Sequence, residues 1–240
     1  MHPGRRTTVT APSKRVLEPG CQWVAPAHSF TVVHVTERGG PAPHRSLMSL
    51  TTPNRPRVAV SPDAAPSASI RIVEVTRTYL RLLRPTDLKP ARLADERLSF
   101  VPLEDPTVAK SRAFYSAVGE AWHWRDRKAW SDEQYAAYLA RTGISLWVLR
   151  FAAEDAGYVE YERHPDGAIE IALFGLMPRF TGRGFGKHLL TVAALEAWRH
   201  KPHMVWLHTC TLDSPRALPN YKARGFVPFR EERYTTTVTR

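Results

Sequence analysis

The clearest pattern of apolar and polar positions lies between residues 169 and 198. Residues 169–176 form a mostly apolar run of strand length, which predicts a strand. Further along, apolar side chains recur at the spacing of one helix face, at Leu189, Leu190, Ala193, Ala194, Ala197 and Trp198. The pattern therefore predicts a strand and an amphipathic helix that are joined by a glycine-rich segment.

The same pattern assigns the other elements. Strands are predicted at 70–75, 78–83, 146–151, 157–162, 204–211 and 234–238. Residues 108–141 are predicted to be mainly helical, with a break at 119–130 and a new start at the capping-box sequence 131–134. A short helix around Tyr221 precedes the last strand. These elements predict a protein of the α/β (α+β) class, with helices around a mixed sheet.

The N-terminal quarter of the chain differs in composition from the rest. Residues 1–68 hold 10 of the 20 prolines, carry 8 Lys or Arg against 3 Asp or Glu, and show no sustained apolar period. Such a segment buries little surface, so we predict a disordered extension at 1–68 and a folded domain at 69–240. A transit peptide, or a true start at Met48, is the alternative explanation of this extension.

Cysteine content and charge limit the functional class. Cys21 and Cys210 fall in different predicted regions, so we expect no structural disulfide and a cytoplasmic protein. No run reaches the roughly 18 apolar residues of a membrane helix. The extension carries +5 of the net charge of +11, and the domain lacks zinc spacing, an RNA-binding aromatic signature and a basic helical stripe. We therefore expect neither a membrane nor a nucleic-acid partner.

The histidines of the predicted domain show no metal-ligand spacing. This holds for His123, His188, His203 and His208, so no metal site is predicted. His208 and Cys210 share one face of a predicted strand, and we predict that both are packing residues.

The glycine-rich segment has the chemistry of an anion site. Gly182, Gly184 and Gly186 alternate along it, which lets the backbone pass close to a ligand. The first N–H groups of the following helix are unpaired within it and point at that ligand with the positive end of the dipole. Arg183 and Lys187 add full charges. A phosphate or pyrophosphate is the expected ligand.

Two common phosphate-binding motifs do not fit this segment. A P-loop ending at Lys187 would need glycine at Thr181 and Ser or Thr at His188. A dinucleotide-binding fingerprint starting at Gly182 would need glycine at Lys187 and an acidic residue about 20 positions further on, where the chain reads Met204-Val205-Trp206.

The segment resembles the pyrophosphate loop of the GNAT superfamily, the acyl-CoA-dependent N-acetyltransferases. The pattern of that loop is Gln/Arg-x-x-Gly-x-Gly/Ala after a strand ending in apolar-x-Pro. Leu176-Met177-Pro178 precedes the segment, and Gly184 and Gly186 take the glycine positions. Thr181 stands where the family has Gln or Arg, and Arg179 or Arg183 is the candidate substitute.

A second segment resembles the same family. Residues 217–226 read Ala-Leu-Pro-Asn-Tyr-Lys-Ala-Arg-Gly-Phe, similar to the family pattern Ala-x-x-x-Tyr-x-x-x-Gly-Phe. The resemblance implies that Tyr221 lies near the coenzyme A sulfur and protonates the departing thiolate. Ser214 stands seven positions earlier, where the family often has an Asn that contacts the cofactor. The resemblance covers roughly residues 69–240 and implies a mixed, mostly antiparallel sheet flanked by helices.

The resemblance also implies an activity. The expected function is an N-acetyltransferase that moves an acetyl group from acetyl-CoA, its cofactor, to a primary amine by direct transfer in a ternary complex. The backbone N–H of Leu176 is the expected oxyanion donor, and Tyr221 is the expected general acid. The expected cofactor-binding residues are Gly175, Leu176, Thr181, Gly182, Arg183, Gly184, Phe185, Gly186, Lys187 and Ser214. A non-catalytic acyl-CoA-binding sensor or docking module on the same fold is the alternative.

Carboxylates and tryptophans supply candidates for the rest of the site. Glu170 precedes the end of the cofactor-binding strand and could take the ammonium proton if burial lifts its pKa. Glu160 and Glu162, on one face of the neighbouring strand, are its competitors.

The break between the two predicted helices is dense in Trp and charge. We predict that Trp122, Trp124 and Trp130, with the acidic Asp126 and Glu160, wall a pocket for a cationic or aromatic amine. The alternative is that these tryptophans pack a helix onto the sheet. The expected partner is a small-molecule or peptide amine, and a homodimer is left open.

Overall fold

A seven-stranded sheet runs through residues 70–239, the part of the chain that the computed structural model describes. Its strands are β1 (Ile70–Leu82), β2 (Leu98–Pro102), β3 (Ile144–Phe151), β4 (Glu154–Arg163), β5 (Ile169–Leu176), β6 (Val205–Cys210) and β7 (Val227–Thr239). Their order is β2-β3-β4-β5-β6-β1-β7. All neighbours are antiparallel except β5 and β6. The predicted extension at 1–68, with Cys21, lies outside the described residues.

Four α-helices flank this sheet within the same residues. They are α1 (Val108–Gly119), α2 (Asp132–Leu139), α3 (Phe185–Arg199) and α4 (Ala217–Ala223). The predicted restart of the helical region is confirmed, because Ser131 and Gln134 form a reciprocal capping box at the start of α2. The hydroxyl of Thr107 accepts from the Lys110 N–H at the start of α1.

The predicted fold class is confirmed, with three corrections to the strands. Residues 70–82 form one continuous strand rather than two, and the last strand begins at Val227 rather than Tyr234. The short edge strand β2 was not predicted.

Helices cover both faces of the sheet. The apolar stripe of α3, from Leu189 to Ala197, is buried against Val159 and Leu207 of the sheet. On the opposite face, Phe114 of α1 stacks on Tyr158 with ring centroids 5.1 Å apart. Burial of these apolar side chains is the main source of stability.

The parallel strands β5 and β6 separate part of the way along their length. They pair at only two positions, Ile169 with Val205 and Glu170 with Trp206. A register shift in β5 leaves Ala172 without a partner on β4, which is the geometry of a β-bulge. Beyond the last pair, β5 stays with β4 and β6 stays with β1. A gap therefore opens between β5 and β6 toward their C-terminal ends.

The end of α4 packs tightly against the chain that follows β1. Lys89 N–H donates to the carbonyl of Arg224 at 2.9 Å. Gly225 has a φ of +94°, and a Cβ there would lie 2.0 Å from the carbonyl oxygen of Asp87. We expect Gly225→Ala to lower the free energy of unfolding by about 2–3 kcal/mol, measured by urea denaturation, because it adds backbone strain and a clash.

Gly182→Ala is the matched control for this prediction. Gly182 has a φ of +77°, but a Cβ there would meet nothing within 4 Å. Its replacement should cost about 1 kcal/mol from backbone strain alone. Equal losses in the two variants would contradict the close packing at Gly225.

Candidate active site

The glycine-rich segment is a turn that leads from β5 into α3. A short 3-10 turn, Pro178–Phe180, follows β5, and α3 begins at Phe185 with Gly184 as its N-cap at a φ of +79°. No side chain caps this helix end. The first N–H groups of α3, including that of Gly186, are therefore available to an anion at the positive end of the helix dipole.

Three phenylalanine rings surround the guanidinium of Arg183 beside the turn. The exposed guanidinium of Arg183 lies 4.9, 5.5 and 5.0 Å from the ring centroids of Phe151, Phe180 and Phe185. Cation–π contacts of this kind orient a guanidinium without neutralising it. Arg183 therefore keeps its charge next to the turn.

The other polar side chains of the turn differ in their partners. Arg179 pairs with Glu154 at 2.5 Å, and the Thr181 hydroxyl donates to the Pro178 carbonyl at 2.8 Å. Lys187 is exposed on the first turn of α3. Of the two candidate substitutes for the family's Gln or Arg, Arg183 is thus the one with no carboxylate at salt-bridge distance among residues 70–239.

The segment before β2 packs onto the start of α3, a contact that the sequence pattern did not reveal. Leu93 N–H donates to Nδ1 of His188 at 3.0 Å, and Ala91 N–H donates to the Thr191 hydroxyl at 3.0 Å. Burial and the charge of Arg92 lower the pKa of His188, which keeps its imidazole neutral and able to accept. His188 therefore anchors this segment.

The Leu176 N–H points into the gap between β5 and β6. Met177 N–H donates to the Ala156 carbonyl on β4 at 2.9 Å. Successive N–H groups of a strand point to opposite sides, so the Leu176 N–H points away from β4. The orientation suits an oxyanion donor, and that role stays a prediction.

Tyr221 lies on α4 next to the same gap. Its buried ring packs edge-on against Phe174 of β5, with centroids 5.9 Å apart. Burial, and then the charge of Asp213, raise the pKa of Tyr221 above its ordinary value, so the phenol stays protonated. Its hydroxyl has no hydrogen-bond partner in the described part of the chain. Asn220 Nδ2 donates to the Gly186 carbonyl at 3.3 Å and thereby joins the two motifs.

Asp213, next to the predicted Ser214, fixes the end of β6. Its Oδ2 accepts from the Thr209 hydroxyl at 2.7 Å and from the Cys210 N–H at 2.9 Å. Its Oδ1 accepts from the Trp124 indole at 3.4 Å. The Ser214 hydroxyl itself accepts from the backbone N–H two positions further on, at 3.3 Å.

Glu160 belongs to a buried ion pair. Its side chain is 1% exposed and accepts two bonds from Arg127, at 2.6 and 2.9 Å. The Tyr138 hydroxyl donates to the same carboxylate at 2.5 Å. Glu162, the other competitor, accepts from Arg141. Both carboxylates are thus bound to arginines.

Glu170 lies between two histidines. Its carboxylate is 3.0 Å from Nε2 of His164 and 3.3 Å from Nδ1 of His208. Burial favours a raised pKa, but the hydrogen bond from His164 and the contact with His208 outweigh it, and the pKa of Glu170 is lowered. The condition that burial lifts this pKa is therefore not met, and the role of Glu170 in proton transfer stays a prediction.

The predicted acceptor residues lie in separate surroundings. Trp124 packs on Tyr115 with ring centroids 5.5 Å apart, and Trp130 packs over the Arg127 guanidinium at 5.0 Å. Trp122 is half-buried, and Asp126 is exposed. No ring contact within residues 70–239 joins the three indoles to one another, and the acceptor pocket stays a prediction.

Within residues 70–239, no group of three or more His, Cys, Asp or Glu is arranged to hold a metal ion. No helix there is long and apolar enough to cross a membrane.

The chain is similar to several solved structures. A GCN5-related N-acetyltransferase from Sphaerobacter thermophilus superposes with a TM-score of 0.52 at 18% identity, over 71% of this chain and 53% of its own. One from Kribbella flavida gives 0.49 at 16%, over 71% and 59%. A GNAT family acetyltransferase from Elizabethkingia anophelis with acetyl-CoA bound gives 0.34 at 18%, over 45% and 62%. The matches thus span between half and two thirds of the length of these structures.

A family comparison covers the same elements. No match was found among curated proteins. Residues 111–226 match the model of the acetyltransferase (GNAT) family, a segment that includes the glycine-rich turn, all of α3 and Tyr221. Over this segment, the expected resemblance to the GNAT superfamily of acetyltransferases is confirmed.

Proposed function

We propose that the protein is an N-acetyltransferase that moves an acetyl group from acetyl-CoA to a primary amine by direct transfer. The observation that carries the proposal is the gap between β5 and β6, which opens beside the N-terminus of α3. The Leu176 N–H points into this gap, Tyr221 lies next to it, and the Glu170 carboxylate lies at its closed end.

Acetyl-CoA fits the residues around the gap. The uncapped start of α3 and the charges of Arg183 and Lys187 suit a pyrophosphate. The outward-facing backbone of β5 offers hydrogen bonds to an extended pantetheine arm, as an added strand would use. Acetyl-CoA supplies the activated acetyl thioester. The proposed cofactor site also includes Gly175, Thr181 and Ser214, with smaller contributions to binding.

The residues of the gap account for each proton. An ammonium acceptor loses two protons as its nitrogen forms the amide bond and the carbon–sulfur bond breaks. Tyr221 donates one proton to the departing sulfur and is reprotonated, and the second proton leaves to solvent. The Leu176 N–H stabilises charge on the carbonyl oxygen. Glu170 serves the removal of the first proton, directly or through a neighbouring group.

The acceptor is proposed as a small-molecule or peptide amine. The alternative, an acyl-CoA sensor without turnover, is favoured by Thr181 and Ser214, whose hydroxyls are bonded to their own turns. A library of primary amines separates the two functions: release of free thiol with any amine identifies the enzyme, and binding of acetyl-CoA without release identifies the sensor.

The Gly184→Val variant tests the cofactor site. Gly184 has a φ of +79°, and a Cβ there would lie 3.4 Å from Lys187 and 3.9 Å from Leu93. A branched side chain would strain the N-cap and occupy the approach to the α3 N–H groups. We expect the Kd for acetyl-CoA, measured by calorimetry, to rise at least about 30-fold, or roughly 2 kcal/mol.

Gly167→Val is the control for this variant. Gly167 has a φ of +89° and lies in the turn between β4 and β5, so it shares the backbone strain but not the location. It should bind acetyl-CoA as the wild type does. If the two valine variants bind equally well, the glycine-rich turn does not hold the cofactor.

A further inference from the structure

Three titratable side chains form a line on the sheet face opposite α3. Ile169 and Leu207 pack in the core cluster under α3, so the alternate residues Glu170 and His208 point to the other face. Glu170 Oε2 lies 3.0 Å from Nε2 of His164, and Oε1 lies 3.3 Å from Nδ1 of His208. The side chains are 10%, 4% and 32% exposed for Glu170, His164 and His208. Of the three, His208 is thus the one open to a substrate.

The exposed part of His208 lies away from its Nδ1 atom. Nδ1 is fully buried and lies 3.3 Å from Oε1 of Glu170, an ion-pair distance without hydrogen-bond geometry, and Nε2 has no hydrogen-bond partner among the residues that the structure describes. Pairing of β5 with β6 ends at Trp206, two residues before His208. Nε2 therefore faces the open part of the gap.

The two faces of the gap carry different chemistry. Tyr221 packs on Phe174 within the cluster under α3, whereas His208 lies on the opposite face. Tyr221 and His208 can therefore act as separate groups, one as the acid for the leaving sulfur and the other as the base for the incoming amine.

We propose that Nε2 of His208 is the catalytic base that takes a proton from the ammonium group of the acceptor, an inference that rests on the proposed function. Glu170 is then a positioning residue, because its carboxylate keeps the proton of neutral His208 on Nδ1 and leaves a lone pair on Nε2. His164 holds the second oxygen of Glu170 and fixes the carboxylate. The same contacts lower the pKa of Glu170, which makes it a weak base and a strong partner for an imidazolium.

The proton transfer is simple to balance. The N–H bond of the ammonium breaks, and an N–H bond forms at Nε2 of His208. The resulting imidazolium is stabilised by Glu170 and later releases the proton to solvent. No other bond of His208 or Glu170 changes.

Other groups around His208 come from β1, β6 and β7. The Tyr79 ring lies 5.6 Å from the His208 ring, and burial raises the pKa of Tyr79, which stays neutral. Its hydroxyl donates to Glu232 at 2.7 Å, and Arg230 lies 5.1 Å from the Tyr79 ring centroid. Cys210, two positions along the same strand face, has a pKa raised by burial. Within the described chain, Glu170 is thus the charged side chain in contact with His208.

The pH profile of acetyl transfer to one amine tests the proposal. We expect His208→Gln to lower kcat/KM about 100-fold and to remove the acidic limb of the profile. Glu170→Gln should lower kcat/KM about 10-fold, because the neutral amide no longer stabilises the imidazolium. Calorimetry should show an unchanged Kd for acetyl-CoA in both variants. A retained wild-type profile in His208→Gln overturns the proposal.

His200→Gln is the matched control. The His200 imidazole is half exposed and lies 3.9 Å from Glu196 at the far end of α3. His200 thus contacts a carboxylate, as His208 does, but at a place away from the gap. This variant should keep the wild-type rate and pH profile, and a loss equal to that of His208→Gln would contradict a specific role for His208.

Nitrogen NMR of the free protein supplies a test that needs no turnover. Neutral His208 should carry its proton on Nδ1. A proton on Nε2 overturns the proposal. If the wild type binds acetyl-CoA but releases no thiol with any amine, the proposed function fails and the base role fails with it. If the wild type turns over and the tautomer is wrong, only this inference fails.

Discussion

Glu160→Gln is expected to lower the free energy of unfolding by about 3–5 kcal/mol. The substitution keeps the shape of the side chain but leaves the Arg127 guanidinium, which is 10% exposed, without a counter-charge. An uncompensated buried charge is far more costly than the pair is stabilising. Urea denaturation followed by circular dichroism measures the loss.

The surroundings of this pair explain why relaxation cannot offset the loss. The Arg127 guanidinium lies 4.3 Å from the Tyr138 ring centroid and 5.0 Å from that of Trp130. The two rings belong to α2 and to the segment before it. Movement of Arg127 to solvent would leave a space between them and disrupt the packing of both. Trp130 therefore contributes to stability through Arg127, whatever its part in acceptor binding.

Glu154→Gln is the control for Glu160→Gln. The Glu154–Arg179 pair has a similar separation of 2.5 Å, but the two side chains are 52% and 64% exposed. Exposed pairs contribute little, so the loss should be below about 1 kcal/mol. Similar losses in the two variants would contradict a buried Arg127–Glu160 pair. A Glu160→Gln variant of full stability but low kcat would instead return Glu160 to the candidates for the base.

The sequence predicts the features that depend on neighbouring residues. The strand, glycine-rich turn and helix from 169 to 199 follow from local periodicity and from the chemistry of helix ends. The capping box at Ser131 is also local. Such features carry their cause within a few positions, and the structure contains them close to their predicted bounds.

Other features depend on residues that are distant in sequence. The partner of Glu160 is Arg127, 33 positions earlier, and Glu170 meets His208 only because β5 and β6 are adjacent and in this register. A carboxylate with two histidine neighbours has a lowered pKa, and a carboxylate alone in an apolar site would have a raised one. For this reason, local sequence could reveal neither the lowered pKa of Glu170 nor its contact with His208.

The edge strand β2 shows a different limit. Leu98–Pro102 is five residues long, follows three charged positions and ends at a proline. Its apolar side chains alternate too briefly to stand out, and its only strand neighbour in the described chain is β3. Short edge strands owe their existence to the pairing partner rather than to their own pattern.

Tyr221→Phe is expected to lower kcat by about 10²–10³-fold while KM for acetyl-CoA stays unchanged. The substitution removes the phenol proton that the leaving sulfur would take, a contribution in the range of general acid catalysis. It keeps the ring contacts with Phe174 and Phe226, whose centroids lie 5.9 and 6.5 Å away. Steady-state kinetics with one amine, following thiol release, measures both constants.

Stability measurements on a second variant separate catalysis from packing. Tyr161 is another buried tyrosine in the cluster under α3, and its hydroxyl donates to the Ala193 carbonyl at 2.8 Å. Tyr161→Phe should therefore cost about 1 kcal/mol of stability and leave kcat unchanged. The Tyr221 hydroxyl has no such partner within residues 70–239, so Tyr221→Phe should leave stability unchanged and reduce kcat. A Tyr221→Phe variant that keeps full kcat would identify Tyr221 as a packing aromatic, because the only group that it loses is the proton donor.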